Sequence, residues 1–321
     1  MPLIESEYKP PFYLWNAHLE TIVPNALRRP KIPPYTRQRL NLPDGDFLDV
    51  DWLKQGSDKV LVISHGLEGN SQRPYVAGIA NYFFERGWDV AAWNCRSCSG
   101  EMNKAQRMYH HGDTDDIRYL LNMEIHHKYE RVGLTGFSMG GSITLKYLGE
   151  EGDKLDEDRV RAAVFSVPCN LSASAHALST PGNAFYRKRF MRKLFKKIEA
   201  KSSQFPHLQL PLEKTKSIKS FPEFDTCFTA PLHGFIDSED FYAQASSGPH
   251  LSKIRVSSLL VNAQNDPMLP KSCFPTVTAA ENPYFYLETP ERGGHVGFAL
   301  QGKSETYAEI RAWQFIAEGI I

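Results

Sequence analysis

The sequence is poor in cysteine, has no long hydrophobic run and carries no excess of charge of either sign. Each absence removes a class of protein. Five cysteines in 321 residues (Cys95, Cys98, Cys169, Cys227 and Cys273) are too few, and odd in number, for the disulfide frame of a small secreted scaffold. A chain of this length can bury a core without such staples. The longest apolar runs, such as residues 60–64, are of strand length and fall well short of the roughly 20 residues that cross a bilayer. Lys and Arg number 37 and Asp and Glu number 37, for a formal net charge of 0. Proteins that work on nucleic acid carry a basic excess against the phosphates, so nucleic acid is not expected as the main partner. The first residues include Glu5, Glu7, Pro10 and Pro11, where a secretory signal needs a basic end and an apolar stretch. The expected location is the cytoplasm.

What is present is a soluble globular composition organised as alternating strands and helices. The first 35 residues are proline-rich and read as an irregular arm with one short helix near Leu19. Residues 37–42 and 47–53 flank Pro43-Asp44-Gly45, a turn signature, and predict a hairpin. Strands are expected at 59–64, 88–93, 132–135, 161–166, 257–261 and 284–288. Helices are expected at 75–86, 114–128 (with Thr114 as N-cap), 138–148 and 304–316. Strands alternating with helices imply a mostly parallel sheet with helices on both faces, here of eight strands. The alternation breaks across residues 168–250, which read as a cap inserted into one domain spanning 1–321.

Chemistry concentrates at Gly136-Phe137-Ser138-Met139-Gly140, between an expected strand and an expected helix. A sharp strand-to-helix turn exposes the central hydroxyl, and the helix N-terminus offers free N–H groups and a positive dipole. A serine nucleophile needs a base, and the base an orienting acid. On this architecture they should follow in the order serine, acid, histidine, each beyond a strand. Asp266, before Pro267, and His295, in Gly293-Gly294-His295-Val296-Gly297, meet that order. Asp237 and Asp240 are rival acids but fall in the cap. Two N–H donors are needed for an oxyanion, and the backbones of Met139 and of Leu67, in Ser64-His65-Gly66-Leu67-Glu68-Gly69, are the candidates. His65 is expected to hydrogen-bond within that loop and shape it.

Several separated segments, HGLEGNSQRPY, WNCRSCSGEMN, YHHGDTDDI, GFSMGG, FDTCFTAPLHGF and GGHVGF, together resemble the YheT-like α/β-hydrolases. Asn16-Ala17-His18-Leu19-Glu20-Thr21-Ile22 is similar to that family's Asn-Pro-His-Leu-x-Thr segment. The resemblance spans nearly the whole chain. It implies an α/β-hydrolase fold, serine esterase or lipase-like activity without a cofactor, and a triad of Ser138, Asp266 and His295. Ala17 stands where the family segment has Pro, and Ser97 where it has Gly.

The remaining features carry less chemistry. Cys95-x-x-Cys98 has no second pair, and neither His110-His111 nor His126-His127 has the i, i+4 spacing that converges ligands on one metal, so no metal is expected. The acid of the 109–113 segment is expected to cap a helix. Residues 186–198 form a basic amphipathic run: one reading is a cap helix packed by one face, the other a segment that touches an anionic membrane surface. The phenylalanines of the cap (Phe185, Phe190, Phe195, Phe221, Phe224, Phe228 and Phe235) suggest an apolar acyl pocket. The expected substrate is therefore a small ester of short to medium acyl chain. An acyltransferase or a phospholipid lipase would use the same triad, and a non-catalytic ligand-binding protein could reuse the fold.

Overall fold

Alternation inside each strand decides how the layers assemble. In Lys59–Ser64 (β4), Val60 and Val62 join one apolar cluster while Leu61 and Ile63 join another. Ala162 and Val164 are likewise separated from Ala163 and Phe165 in Val160–Phe165 (β7). Both faces of these strands are thus buried, as a parallel sheet between helical layers requires. The computed structural model describes residues 2–321.

In chain order the first half contains Leu3–Ile4 (β1), Ala17–Leu27 (α1), Thr36–Asn41 (β2), Phe47–Leu53 (β3), β4, Pro74–Phe84 (α2), Asp89–Asn94 (β5), Asp115–Leu120 (α3), Arg131–Phe137 (β6), Met139–Glu151 (α4) and β7. A helical excursion follows, with Leu171–Ser179 (α5), Ala184–Gln204 (α6), Phe221–Phe224 (α7), Ala230–His233 (α8) and Ser238–Ala245 (α9). The chain then closes with Ser258–Val261 (β8), Thr276–Glu281 (α10), Phe285–Glu288 (β9) and Tyr307–Trp313 (α11). The sheet order is β1-β9-β8-β7-β6-β4-β5-β3-β2. Only β3 runs antiparallel to its neighbours β2 and β5. Helices α2 and α11 cover one face through Ile79, Phe83, Ala308 and Ala312. Helices α3 and α4 and the excursion cover the other.

Among the described residues the sheet has nine strands, not the eight that the sequence pattern predicts. The extra one is β1, whose Leu3 and Ile4 pair in parallel with Leu287 and Glu288. Two residues cannot display a period of two, so this edge strand is set by tertiary pairing and not by local pattern. The helix expected at 114–128 keeps its helical conformation only as α3 plus a wider turn over Leu121–Ile125. Thr114 does not cap it with its side chain; its hydroxyl instead donates to Glu150 Oε2 at 2.6 Å. Asp113 is no cap either, and accepts from Arg107 Nη1 at 2.9 Å.

Strands β4, β6, β8 and β9 all end on the same edge of the sheet, because they run parallel. The segments that leave those ends hold Leu67, Ser138, Met139, Asp266 and His295, whereas the rival acids Asp237 and Asp240 lie at α9.

Candidate active site

The turn from β6 into α4 is strained at one residue. Ser138 has φ 53° and ψ −121°, a region that side chains with a Cβ rarely occupy. The turn is possible because its neighbours lack side chains. A Cβ on Gly136 would lie 2.5 Å from Gly140 O, and one on Gly140 would lie 2.2 Å from Ser64 O. The Ser138 N–H is anchored to Phe165 O at 2.9 Å, which leaves the hydroxyl projecting above the sheet.

His295 bridges the serine and Asp266. Its Nδ1 is 2.7 Å from Asp266 Oδ2 and its Nε2 is 3.0 Å from Ser138 Oγ. With a carboxylate at Nδ1, that nitrogen carries the proton and donates, so Nε2 is the acceptor for the serine hydroxyl. Asp266 is held by the Met268 N–H, which donates to Oδ1 at 2.8 Å, and its side chain has no solvent exposure. The rival Asp237 is occupied elsewhere, accepting the Asp240 N–H at the start of α9.

Leu67 lies across from the serine. A Cβ on Gly66 would sit 3.4 Å from Ser138 Cβ, so the 65–68 loop runs directly beside the elbow. Met139 opens α4 and has no carbonyl one turn back to accept its N–H. Among the described residues, neither the Leu67 nor the Met139 N–H is spent on a protein acceptor. His65 does shape the loop: its Nδ1–H donates to Gly66 O at 2.8 Å and its Nε2 accepts the Cys95 N–H at 3.1 Å. Burial pushes its pKa down to about 4, which keeps the ring in the neutral form those two bonds require.

Several contributors escaped the sequence reading. Thr21 Oγ1 accepts the His295 N–H at 2.9 Å, Ser166 Oγ accepts the Val296 N–H at 2.9 Å, and Asn265 Oδ1 accepts the Gly294 N–H at 3.1 Å. The histidine loop is therefore pinned by the arm, by the end of β7 and by the acid's own loop. The arm's signal was the Asn16–Ile22 segment: Asn16 Oδ1 caps α1 by accepting the Leu19 N–H at 2.9 Å. Helix α6 reaches the 65–68 loop through Lys197 Nζ, 2.7 Å from Glu68 Oε1, and Lys193 Nζ, 2.9 Å from Glu68 O. Its Tyr186, Met191, Leu194 and Ile198 are buried, so one face packs inward.

Two spaces meet at Ser138. An open cleft of about 150 Å³ is lined by Arg73, Phe185, Arg189 and Lys193. A narrower pocket of about 40 Å³ is lined by Leu171, Ala175, Phe190, Phe221 and Phe241. Of the seven cap phenylalanines named from sequence, only Phe190 and Phe221 line this narrow pocket. Phe195, Phe224 and Phe228 stack on one another as core, Phe235 packs on His110 and Phe241, and Phe185 is exposed at the cleft mouth. The cap must bury its own aromatics before it can offer any to a substrate.

A family profile for the alpha/beta hydrolase fold matches residues 59–298. The Escherichia coli protein YheT is 34% identical over 88% of this chain and 84% of its own length. Phospholipase ABHD3 of Homo sapiens is 26% identical, over 98% of this chain and 80% of that protein. Monoacylglycerol lipase of Saccharomyces cerevisiae is 31% identical, over 83% of this chain and 60% of that protein. The fold is shared with the Pyrococcus furiosus esterase Pf2001, with a TM-score of 0.56 at 16% identity, over 88% of this chain and 91% of that one. With 34% identity extending over most of both chains and the sheet topology now in view, the protein belongs to the YheT-like, esterase- and lipase-type α/β-hydrolases.

Proposed function

We propose that this protein hydrolyses carboxylic esters of short to medium acyl chain, with Ser138 as nucleophile, His295 as base and Asp266 as orienting acid. The observation that carries the proposal is the imidazole of His295, within hydrogen-bond distance of both Asp266 and Ser138. Ser138 Oγ attacks the ester carbonyl as its proton passes to His295 Nε2, and Asp266 stabilises the imidazolium that forms. The carbonyl oxygen becomes an oxyanion beside the Leu67 and Met139 N–H groups, and losing one such donor typically costs on the order of 10²–10³ in rate. His295 then protonates the leaving alcohol, and a water activated by the same ring releases the acid from Ser138.

The narrow pocket supports the acyl assignment. Its walls are mostly apolar and it starts at the serine, so burial of each methylene favours binding by about 0.8 kcal/mol. Its volume of about 40 Å³ suits a short chain without rearrangement and disfavours a long one.

The test is hydrolysis of p-nitrophenyl esters of increasing chain length by the native chain and by Ser138→Ala, with labelling by a fluorophosphonate. The expected result is labelling and turnover in the native chain, highest for short to medium acyl groups, and neither in the variant. Turnover that survives in Ser138→Ala overturns the nucleophile assignment.

A further inference from the structure

The wider cleft at Ser138 has a charge imbalance that hydrolysis of a neutral ester leaves unexplained. Arg73, Arg189 and Lys193 all line it, and Glu68 is the acid that lines it with them. Glu68 is already engaged, since its carboxylate accepts from Lys197 Nζ at 2.7 Å and from the Tyr109 hydroxyl at 2.6 Å. Arg73 Nη2 and Lys193 Nζ each donate to the Glu68 backbone carbonyl, at 2.8 and 2.9 Å, which uses one donor of each and neutralises neither charge. Arg189 is exposed on the same helix as Lys193. The cations also feel one another: burial, and then the nearby Arg73, hold the Lys193 pKa below its ordinary value. Two further carboxylates lie near the serine but do not line this cleft: Asp266 sits behind His295 with no exposure, and Asp225 lines the narrow pocket, where it accepts from Thr229 and Tyr242.

Three cations gathered without a free counter-charge repel one another and cost stability unless an anion joins them. They line the wider of the two spaces that meet at Ser138, which is the space left for the alcohol portion of an ester if its acyl chain fills the apolar pocket. Resting on the ester-hydrolase reading above, we infer that the preferred substrates carry an anionic group, a phosphate or carboxylate, on the alcohol portion, bound by Arg73, Arg189 and Lys193. The chemistry is unchanged: the acyl C–O bond breaks, water adds hydroxide to the acyl carbon and a proton to the alcohol oxygen, and the anionic alcohol leaves. The guanidinium groups suit an oxyanion because they offer paired donors, and the bonds are charge-assisted.

The experiment compares two soluble esters with the same acyl group, hexanoyl glycerol and hexanoyl glycerol 3-phosphate, both as monomers in solution. The expected ratio of kcat/KM favours the phosphate ester by about tenfold or more, as one or two charge-assisted bonds provide. Raising the salt from about 50 mM to about 500 mM should shrink that ratio. Arg189→Gln combined with Lys193→Gln should bring it close to one, whereas Arg192→Gln, an exposed cation of the same helix outside the cleft, should leave it as in the native chain. A ratio at or below one in the native chain, with Ser138-dependent turnover of the neutral ester, overturns the inference and leaves the esterase reading standing. If the ratio is high but the double variant keeps it, the assignment to this cleft is overturned. Preference for the phosphate ester only when it is presented in anionic vesicles also overturns it, because the cations then read a surface. If neither ester is turned over and no fluorophosphonate label appears, both readings fall together.

Discussion

Thr21 Oγ1 accepts the backbone N–H of His295 at 2.9 Å, although the two residues lie 274 positions apart. The same hydroxyl donates to Ala17 O at 2.7 Å, so α1 fixes the threonine and the threonine fixes the histidine loop. Removing the hydroxyl leaves a buried N–H without a partner, at a cost of about 1–3 kcal/mol, and frees the loop to drift. Thr21→Ala should lower kcat by about tenfold, since displacements of about 1 Å at a reacting group are costly, with KM changed little. Thr21→Ser should keep the native rate. Steady-state kinetics on one ester separate the outcomes, and a KM effect without a kcat effect would place Thr21 in substrate binding instead.

Ser138, the proposed nucleophile, carries backbone strain. A residue at φ 53° and ψ −121° stores roughly 1–3 kcal/mol that glycine would not. Ser138→Gly should therefore be inactive yet melt a few degrees higher than the native chain. Ser138→Ala, which keeps the Cβ, should be equally inactive without that gain. Differential scanning calorimetry on the two variants decides it, and equal melting temperatures would show that the turn relaxes at no cost to the serine.

The strand-to-helix alternation, the elbow and the order serine, acid, histidine are all visible in sequence because each depends on local pattern. The unbroken apolar run from Val60 to Ile63 marks a strand buried on both faces, and the glycines around Ser138 mark a turn too tight for side chains. What pins the histidine loop is not local. Thr21, Asn265 and Ser166 are ordinary polar residues whose roles arise from which segments the sheet brings together. The phenylalanines of the cap mislead for a related reason: composition reveals that they are apolar but not whether a neighbour or a cavity faces them. Ser97 shows how a departure from a family pattern is accommodated. It holds φ 62°, where glycine is easier, and its hydroxyl donates to Asn103 Oδ1 at 2.6 Å and accepts the Asn103 N–H at 3.1 Å.

Asp225 should leave a signature in the pH dependence of stability. It lines the narrow pocket, and burial raises its pKa from 3.8 to about 6 even though Thr229 and Tyr242 donate to it at 2.5 and 2.6 Å. Between pH 4 and pH 6, roughly, the folded chain binds more protons at this site than the unfolded chain, so its contribution to stability falls as pH rises through that window. Asp225→Asn, which cannot ionise, should remove the decline. The melting temperature of the variant minus that of the native chain should therefore increase from about pH 4 to about pH 7. A difference that stays flat would mean that the carboxyl is not protonated in the fold.

Lys197 tests whether α6 supports the loop proposed to meet the oxyanion or merely covers it. Its ammonium is 2.7 Å from Glu68 Oε1, and the two side chains are 14% and 5% exposed. Glu68 follows Leu67, whose N–H is proposed to meet the oxyanion, and it has φ 55°, so the loop needs an external hold to keep that shape. Lys197→Met breaks a largely buried pair and should cost about 3–5 kcal/mol of stability, because the Glu68 carboxylate is left with a hydroxyl partner only. Glu68→Gln with Lys197→Met removes both charges and should recover most of that stability. If the ion pair positions the Leu67 N–H, the double variant should still be about tenfold or more slower in kcat, within the range for a weakened oxyanion donor, while KM stays near the native value. A double variant with native kcat would mean that stability alone, and not the position of Leu67, is what the lysine supplies.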